Sequence, residues 1–353
     1  MALDSSLGLT IVSLGDDTDV AQRSAPGSAS LATTCLLDDY THAMLNALPQ
    51  CPRPITPTAD QSYYIRKSSN PSAGLGLFSR HEMQAGDLIL SERPLAVAPA
   101  SVLGVDNRKL LEGLVERMDA ATRTSFFALA NCYSGDPLIG RSLGIFRTNG
   151  IGLGDTMIFA REPDDPAYVG VFANASRINH SCCPSAAYHF DLHSFMLHVY
   201  ATRRIAADEE IHVSYCANLL ERTSMRRQAL QSYGFCCTCL ACANSDISDV
   251  RRARVDTSVT LHMPPEKICV VCEEQIALLE AEGLQLLGEY VEHALFLVIA
   301  NIALGHEDRA AEYKEKARRW EIAIRGRQAN FTNTELARQT GLNLAATRIT
   351  TTH

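Results

Sequence analysis

The stretch RINHSCCPSAAYHF, residues 177–190, sets the polar run Asn179, His180 and Ser181 against two adjacent thiols, Cys182 and Cys183, with Pro184 closing it. One reading is a buried turn whose polar side chains satisfy the backbone. The other is a junction shared by a ligand pocket and a metal site. A second cluster downstream decides between them. In YGFCCTCLAC, residues 233–242, the pattern Cys237-x-Cys239-x-x-Cys242 puts three thiolates in a tight turn. Zinc takes four tetrahedral ligands, so the triplet is one short. Cys236 is a poor fourth, because its side chain leaves the backbone nearly opposite to that of Cys237. A distant cysteine is therefore expected, and the Cys182/Cys183 pair supplies one.

The chain of 353 residues has room for one large domain with an appendage, or for two domains. Its apolar content of 46% allows a sizeable core. The formal charge of −8 argues against gripping nucleic acid through its phosphates and favours cationic partners. No apolar run is long enough to span a bilayer, so no membrane partner is expected. The start, MALDSSLGLTIVSLGDDTD, has no basic region and does not read as a signal or transit peptide. Twelve cysteines in such a chain point to thiols or metal rather than disulfides, and to a cytoplasmic or nuclear setting.

Residues 1–60, rich in Ser, Thr, Ala, Asp and Pro without a sustained period, read as disordered or loosely attached. Short β-type runs at Leu75–Ser79 and Leu88–Glu92, punctuated by Gly and Asn-Pro, begin a small sheet. Between about 105 and 135, Leu110, Leu111, Leu114, Val115, Met118, Phe126, Phe127 and Leu129 recur at helical spacing, which predicts a helical insert. Strand-like segments return from Met157 to Tyr215. Beyond residue 246 the chain reads as helical, with breaks at Gly283, Gly288 and Gly305, and as one lobe rather than a solenoid.

Four motifs, GLGLF (74–78), RINHSCCP (177–184), EEIHVSY (209–215) and YGFCCTCLAC (233–242), occur in the order and spacing of SET-domain methyltransferases with a post-SET zinc segment. With the helical insert, the helical tail and TNGIGL (148–153), the chain resembles the SET–MYND branch of that family, without its MYND finger. The resemblance covers about residues 61–245 well and the tail loosely. It implies an α+β architecture: a SET-type β fold with a pseudoknot (61–217), a post-SET segment (218–245) and a helical C-terminal region (246–353).

The resemblance also implies roles. S-adenosylmethionine would lie against the Gly74-Leu75-Gly76 turn, with polar contacts from Asn149, Asn179 and His180 and stacking on Phe235. Tyr215 would sit where the methyl passes to the nucleophile. Cys182, Cys237, Cys239 and Cys242 would hold one zinc. The implied activity is protein-lysine N-methylation, with a lysine-bearing protein or peptide as substrate. A lysine amine, with a solution pKa of about 10.4, must lose its proton before attacking a methyl carbon. Burial beside a sulfonium disfavours the charged amine, and Tyr215 and Tyr233 can wall the channel and align it.

Two departures bear on the substrate. Ser185 stands where the family usually carries Asn, and Ile151 where an aromatic wall is common. They leave open a small-metabolite substrate, by methyl transfer or another reaction, and a binding module without turnover. Elsewhere ordinary roles are expected: strand positions for His189, His193 and His198, packing thiols at Cys269 and Cys272, and a hairpin turn for the acidic run 208–210.

Overall fold

The computed structural model describes residues 9–14, 32–48, 61–70, 72–154, 167–256, 258–260 and 262–326. Its elements in chain order begin with β1 (Leu9–Leu14), β2 (Thr33–Asp38), α1 (Asp39–Ala47), β3 (Tyr63–Lys67), β4 (Leu75–Ser79), β5 (Leu88–Glu92) and β6 (Ala96–Pro99). Then come α2 (Arg108–Glu116), α3 (Ala120–Phe127), α4 (Arg141–Asn149), β7 (Ile151–Gly152), β8 (Tyr168–Val171), β9 (Asn179–His180), β10 (Ala186–Asp191), β11 (Met196–Ala201) and β12 (His212–Val213). The rest is helical: α5 (Thr223–Ala229), α6 (Leu240–Ala243), α7 (Ser245–Arg252), α8 (Pro265–Ala281), α9 (Gly288–Ala303) and α10 (Glu307–Arg325). The fold is α+β, and its described residues fall into two compact units. The first takes residues up to 80 with 89–178 and 188–199; the second takes 81–88, 179–187 and 200 onward.

In the first unit a five-stranded sheet runs in the order β1-β2-β6-β8-β7. Residues 9–14 and 33–47 therefore depart from the disorder expected of the N-terminal segment, while the rest of 1–60 lies largely outside the described residues. The physical reason is local. Cys35, Leu36 and Leu37 form a continuous run with no exposure, as in a strand covered on both faces. Its partner Val97 is equally buried, and Thr34↔Ala96 and Cys35↔Val97 pair in parallel. Asp38 ends the strand and caps α1, accepting from the Thr41 backbone N–H at 2.8 Å.

Helices α2, α3 and α4 share a core with this sheet, where Leu111, Leu114, Phe126 and Phe146 meet Leu36, Ala96 and Val171. The helical insert thus extends past residue 135 to Asn149. The TNGIGL stretch is split between the end of α4 and the two-residue β7. β3 and β4 form an antiparallel hairpin, in which Arg66 faces Gly76 and Lys67 faces Leu75. A further sheet has the order β10-β11-β5. On it Ser91 Oγ lies 2.6 Å from His198 Nδ1, and burial holds the His198 ring below the usual histidine range.

The second unit contains the parallel pair β9–β12, in which Asn179 faces His212 and His180 faces Val213. Its helices α8, α9 and α10 pack in sequence, and their core continues through Leu219, Leu230, Cys237 and Cys242. Gly283, at φ +65°, ends α8, and a Cβ there would meet Cys183 Cβ at 2.9 Å, so only glycine fits the close approach. Within α8, Cys272 is fully buried and its thiol is pushed up to about 12 by burial, as a packing residue should be.

His293 of α9 is 1% exposed, and neither ring nitrogen has a partner of hydrogen-bonding geometry among the described residues. Burial pushes its pKa below 6.5, against the opposing pull of Asp256. The native state therefore binds the proton less readily than the unfolded chain. Stability from this site is complete above about pH 6.5 and is lost as pH falls through the lower native value. Urea midpoints measured between pH 7.5 and 5 should fall more steeply on the acid side for the parent than for His293→Leu. Parallel profiles for the two proteins would exclude His293 as the cause.

Candidate active site and metal centre

Four cysteines meet in the second unit. The Sγ atoms of Cys182, Cys237, Cys239 and Cys242 all lie within 4.8 Å of one another, and all four residues except the half-buried Cys239 are buried. The local chain explains how. Cys182 follows β9, whose backbone is fixed by Ser181 N–H to Val213 O at 3.0 Å. Cys239 immediately precedes α6 and Cys242 lies within it; the bond from Ala243 N–H to Cys239 O at 2.8 Å closes the turn that brings the two sulfurs to one side. Cys236 is exposed where Cys237 is buried, and Cys183 lies outside the cluster with its Sγ 3.6 Å from Arg252 Nη2.

The donor set fits a tetrahedral ion. A zinc–sulfur bond of about 2.3 Å requires sulfurs about 3.8 Å apart along each tetrahedral edge. Cys182 Sγ lies 3.9 Å from Cys237 Sγ and 3.6 Å from Cys242 Sγ. Four thiols at this spacing pull against one another. Hydrogen bonds with its neighbours, Cys216 first, push Cys182 up, while bonds from its neighbours, Cys182 first, push Cys239 down. A divalent cation would replace those shared protons.

Three further residues at this centre carry no signal in the cysteine spacing. Arg226 is 1% exposed, and its Nη2 lies 4.0 Å from Cys242 Sγ. It is held by Thr223 Oγ1 at 2.8 Å and Asp249 at 3.5 Å. Its charge would offset the surplus negative charge of four thiolates around a divalent cation. Arg252, 2% exposed, donates from Nη2 to Cys182 O at 2.9 Å and from Nε to Glu282 Oε2 at 3.1 Å. Cys216 joins His180 and Cys182 in a second group of closely spaced ligand atoms.

His180 connects the thiols to a set of aromatic rings. Its Nδ1 accepts from the Tyr215 backbone N–H at 2.9 Å, which in the neutral ring places the proton on Nε2, 3.3 Å from Cys182 Sγ. Its ring centroid is 5.3 Å from Tyr215 and 6.1 Å from Phe235. Tyr215 and Tyr233 lie 4.9 Å apart, and all three aromatic side chains are half-buried. Gly234, at φ 73°, turns the chain between Tyr233 and Phe235. Asn179 donates from Nδ2 to Glu210 Oε1 at 2.8 Å, and Glu210 is only 8% exposed. The acidic run is thus more than a solvated turn: Asp208 occupies the turn at φ 64°, while Glu210 goes inward to fix Asn179.

The remaining expected site residues belong to the first unit. Gly74, at φ +70°, immediately precedes β4, and nothing among the described residues lies within 4 Å of a Cβ built on it, so the backbone there is open to approach. Leu75 is 41% exposed beside it, and Gly76 follows in the same strand. Asn149 is buried, and its Nδ2 is committed to Ala130 O at 2.7 Å and Ile145 O at 2.8 Å. A contact from Asn149 to a ligand therefore falls to its other polar atoms. Ser185 is fully buried: its Oγ accepts from His212 N–H at 3.0 Å and its N–H donates to His212 O at 3.0 Å, so it braces β12.

With this geometry, residues 74–216 match the SET domain family. The histone-lysine N-methyltransferase set5 of Schizosaccharomyces pombe is 25% identical over 190 residues, covering 52% of this chain and 54% of the relative. The protein-lysine N-trimethyltransferase SMYD5 of Homo sapiens is 38% identical over 76 residues, covering 21% of this chain and 18% of that protein. The histone-lysine N-methyltransferase SMYD3 of Mus musculus is 33% identical over 78 residues, 22% of this chain and 18% of that protein. The chain thus spans about half the length of the first relative and far less of the other two.

Proposed function

From residues 74–216 as a SET domain, we propose that the chain is an S-adenosylmethionine-dependent protein-lysine N-methyltransferase with one structural zinc. The observation that carries this reading is the Tyr215–Tyr233 pair, 4.9 Å between centroids, set against His180, which itself touches the thiol cluster. The relatives' names, histone-lysine and protein-lysine methyltransferases, support a lysine-bearing protein substrate. So does the charge of −8, which favours a basic peptide. A cytoplasmic or nuclear setting, where thiols stay reduced, belongs to the same proposal.

S-adenosylmethionine, when bound, supplies a methyl group on a sulfonium. The half-buried faces of Tyr215, Tyr233 and Phe235 suit a sulfonium and an adenine, since aromatic rings attract cations and stack on planar bases. Within the second unit, the polar groups of Asn179 and His180 belong to the same cofactor-binding proposal. Tyr215 and Tyr233 align the substrate amine, and their low-dielectric surroundings favour its neutral, nucleophilic form. Glu210 holds the Asn179 amide and the Tyr215 backbone holds His180, so neither ligand-binding side chain must be ordered on binding. Cys182, Cys237, Cys239 and Cys242 would hold zinc, which would tie residues 237–242 to the turn after β9.

Tyr215→Phe tests the assignment. A hydroxyl that acts mainly in the transition state lowers the rate constant and leaves ground-state binding in place. The variant should keep its cofactor affinity and thermal midpoint and lose about 100-fold in single-turnover methylation of protein in an extract. Full activity in the variant excludes Tyr215 from catalysis. Label appearing only in small molecules would favour a metabolite substrate, and no transfer by the parent would favour a binding module.

A further inference from the structure

A cavity of about 220 Å³ opens in the second unit, separate from the thiol cluster and the aromatic set. Its wall includes residues next to α8, the side of α10 and the chain just after β11. Two residues that line it, Thr202 and Gln285, carry a buried polar atom, Oγ1 and Oε1, with no hydrogen-bond partner among the described residues. Thr202 is 6% exposed, and its position is fixed by its N–H to Ser185 O at 2.9 Å. Buried polar atoms are rarely left unpaired, and two on residues that line one cavity call for a common occupant.

The chemistry of the wall is donor-rich. Arg203, Arg204, Lys316 and Arg319 line the cavity, against the single carboxylate of Glu280. Each cation is positioned by an acid: Arg203 by Glu209 at 2.9 Å, Arg204 by Glu82, Lys316 by Glu280 at 2.7 Å and Arg319 by Glu315 at 2.8 Å. These contacts orient the side chains without exhausting them. A guanidinium has five N–H groups, and Arg319 uses only its Nε on Glu315. Trp320 contributes a rigid apolar wall, its ring N–H already donated to Leu286 O and Leu287 O. Gln285 Oε1, in contrast, is an acceptor in want of a donor.

We propose that this cavity binds a compact anion that carries a hydroxyl group beside its charged end, a small hydroxycarboxylate or a phosphate monoester. The anionic oxygens take the Arg and Lys donors and the Thr202 hydroxyl, and the ligand's own hydroxyl donates to Gln285 Oε1. The site is independent of methyl transfer. A cavity of this size suits a molecule of a few carbons, since it is equivalent in volume to about seven waters.

Calorimetry on the full chain with two matched pairs of probes tests it: malate against succinate, and glycerol 3-phosphate against propyl phosphate. Within each pair the members differ chiefly in the hydroxyl. Malate or glycerol 3-phosphate should bind and raise the thermal midpoint, about tenfold more tightly than the partner without the hydroxyl. The better pair identifies carboxylate or phosphate as the preferred charge. Thr202→Val and Arg319→Gln should each weaken that binding about tenfold or more. Gln285→Leu should erase the difference within the pair. Arg309→Gln, outside the cavity, serves as the control and should change nothing. The proposal fails if none of the four probes binds at low millimolar concentration, which would leave the cavity to water, or if binding persists unchanged in Thr202→Val and Arg319→Gln.

Discussion

Cys239→Ser should leave the purified chain without its zinc and lower the thermal midpoint by about 10 °C or more. Structural zinc in small domains contributes folding free energy outright, with apparent values of about 10–16 kcal/mol in isolated finger peptides. Even a third of that, spread over a unit of this size, corresponds to a shift of this order. The thiolates lost to the metal also become a buried, crowded set that must take up protons again. Metal analysis and circular dichroism on the same preparations check both expectations. Cys236→Ser, at an exposed position outside the cluster, should retain one zinc per chain. Retention of a full equivalent by Cys239→Ser would show that the centre closes another way. The group His180, Cys182 and Cys216 makes that outcome specific, and the double variant Cys239→Ser, Cys216→Ser would separate it. Since cysteine binds zinc as thiolate, acid should release the metal, and a zinc-reporting dye would follow the release as pH falls.

Arg252→Met should cost about 3 kcal/mol in urea unfolding, because it removes the nearer cation from the buried Glu282 and leaves it only Arg251 Nη1 at 3.5 Å. The side chains of the pair are 0% and 4% exposed, at 3.1 Å. Ser248 Oγ also donates to Glu282 Oε2, at 2.5 Å. Replacing both partners, as Arg252→Met with Glu282→Leu, should recover much of the loss, since a buried ion pair is often matched by apolar residues of similar volume. Arg252→Lys should fall between. It retains the charge but not the fork that reaches Glu282 and the Cys182 carbonyl together. A loss below about 1 kcal/mol for Arg252→Met would place the site among ordinary surface pairs and contradict its burial.

What could be read from the chain follows from the range of each signal. Cys237-x-Cys239-x-x-Cys242 is a local pattern, and one helical turn turns spacing into geometry. The thiol opposite it lies 55 residues before Cys237, and only the family pattern singled out Cys182 from Cys183. Arg226 and Arg252 were illegible for a different reason. Arginine is normally a surface residue, and nothing in its immediate neighbours marks the two that are buried. Glu210 was hidden inside an acidic run whose other members do stay at the turn. The N-terminal strands are invisible to composition, because an average over some sixty residues dilutes a six-residue strand such as TTCLLD. Its pairing with β6 was also out of reach of local pattern: Thr33 Oγ1 donates to Pro94 O across 61 positions.

The interleaving of the two units limits how the protein may be cut. Neither unit is one continuous piece: residues 81–88 and 179–187 belong with everything from 200 onward. A fragment trimmed to the family boundaries, 74–216, would keep Cys182 yet leave behind Cys237, Cys239, Cys242 and Glu282. It would expose the apolar surface that Cys182 and Cys216 share with the helices. It would also discard β2, leaving an edge of β6 without its parallel neighbour. Expression of that fragment should yield aggregates rather than a small active enzyme. A proteolytic nick is another matter, because a cut strand still held by the sheet stays attached. Domain dissection, the usual route to a tractable piece, is therefore closed for this topology, and its parts are better studied by substitution within the whole chain.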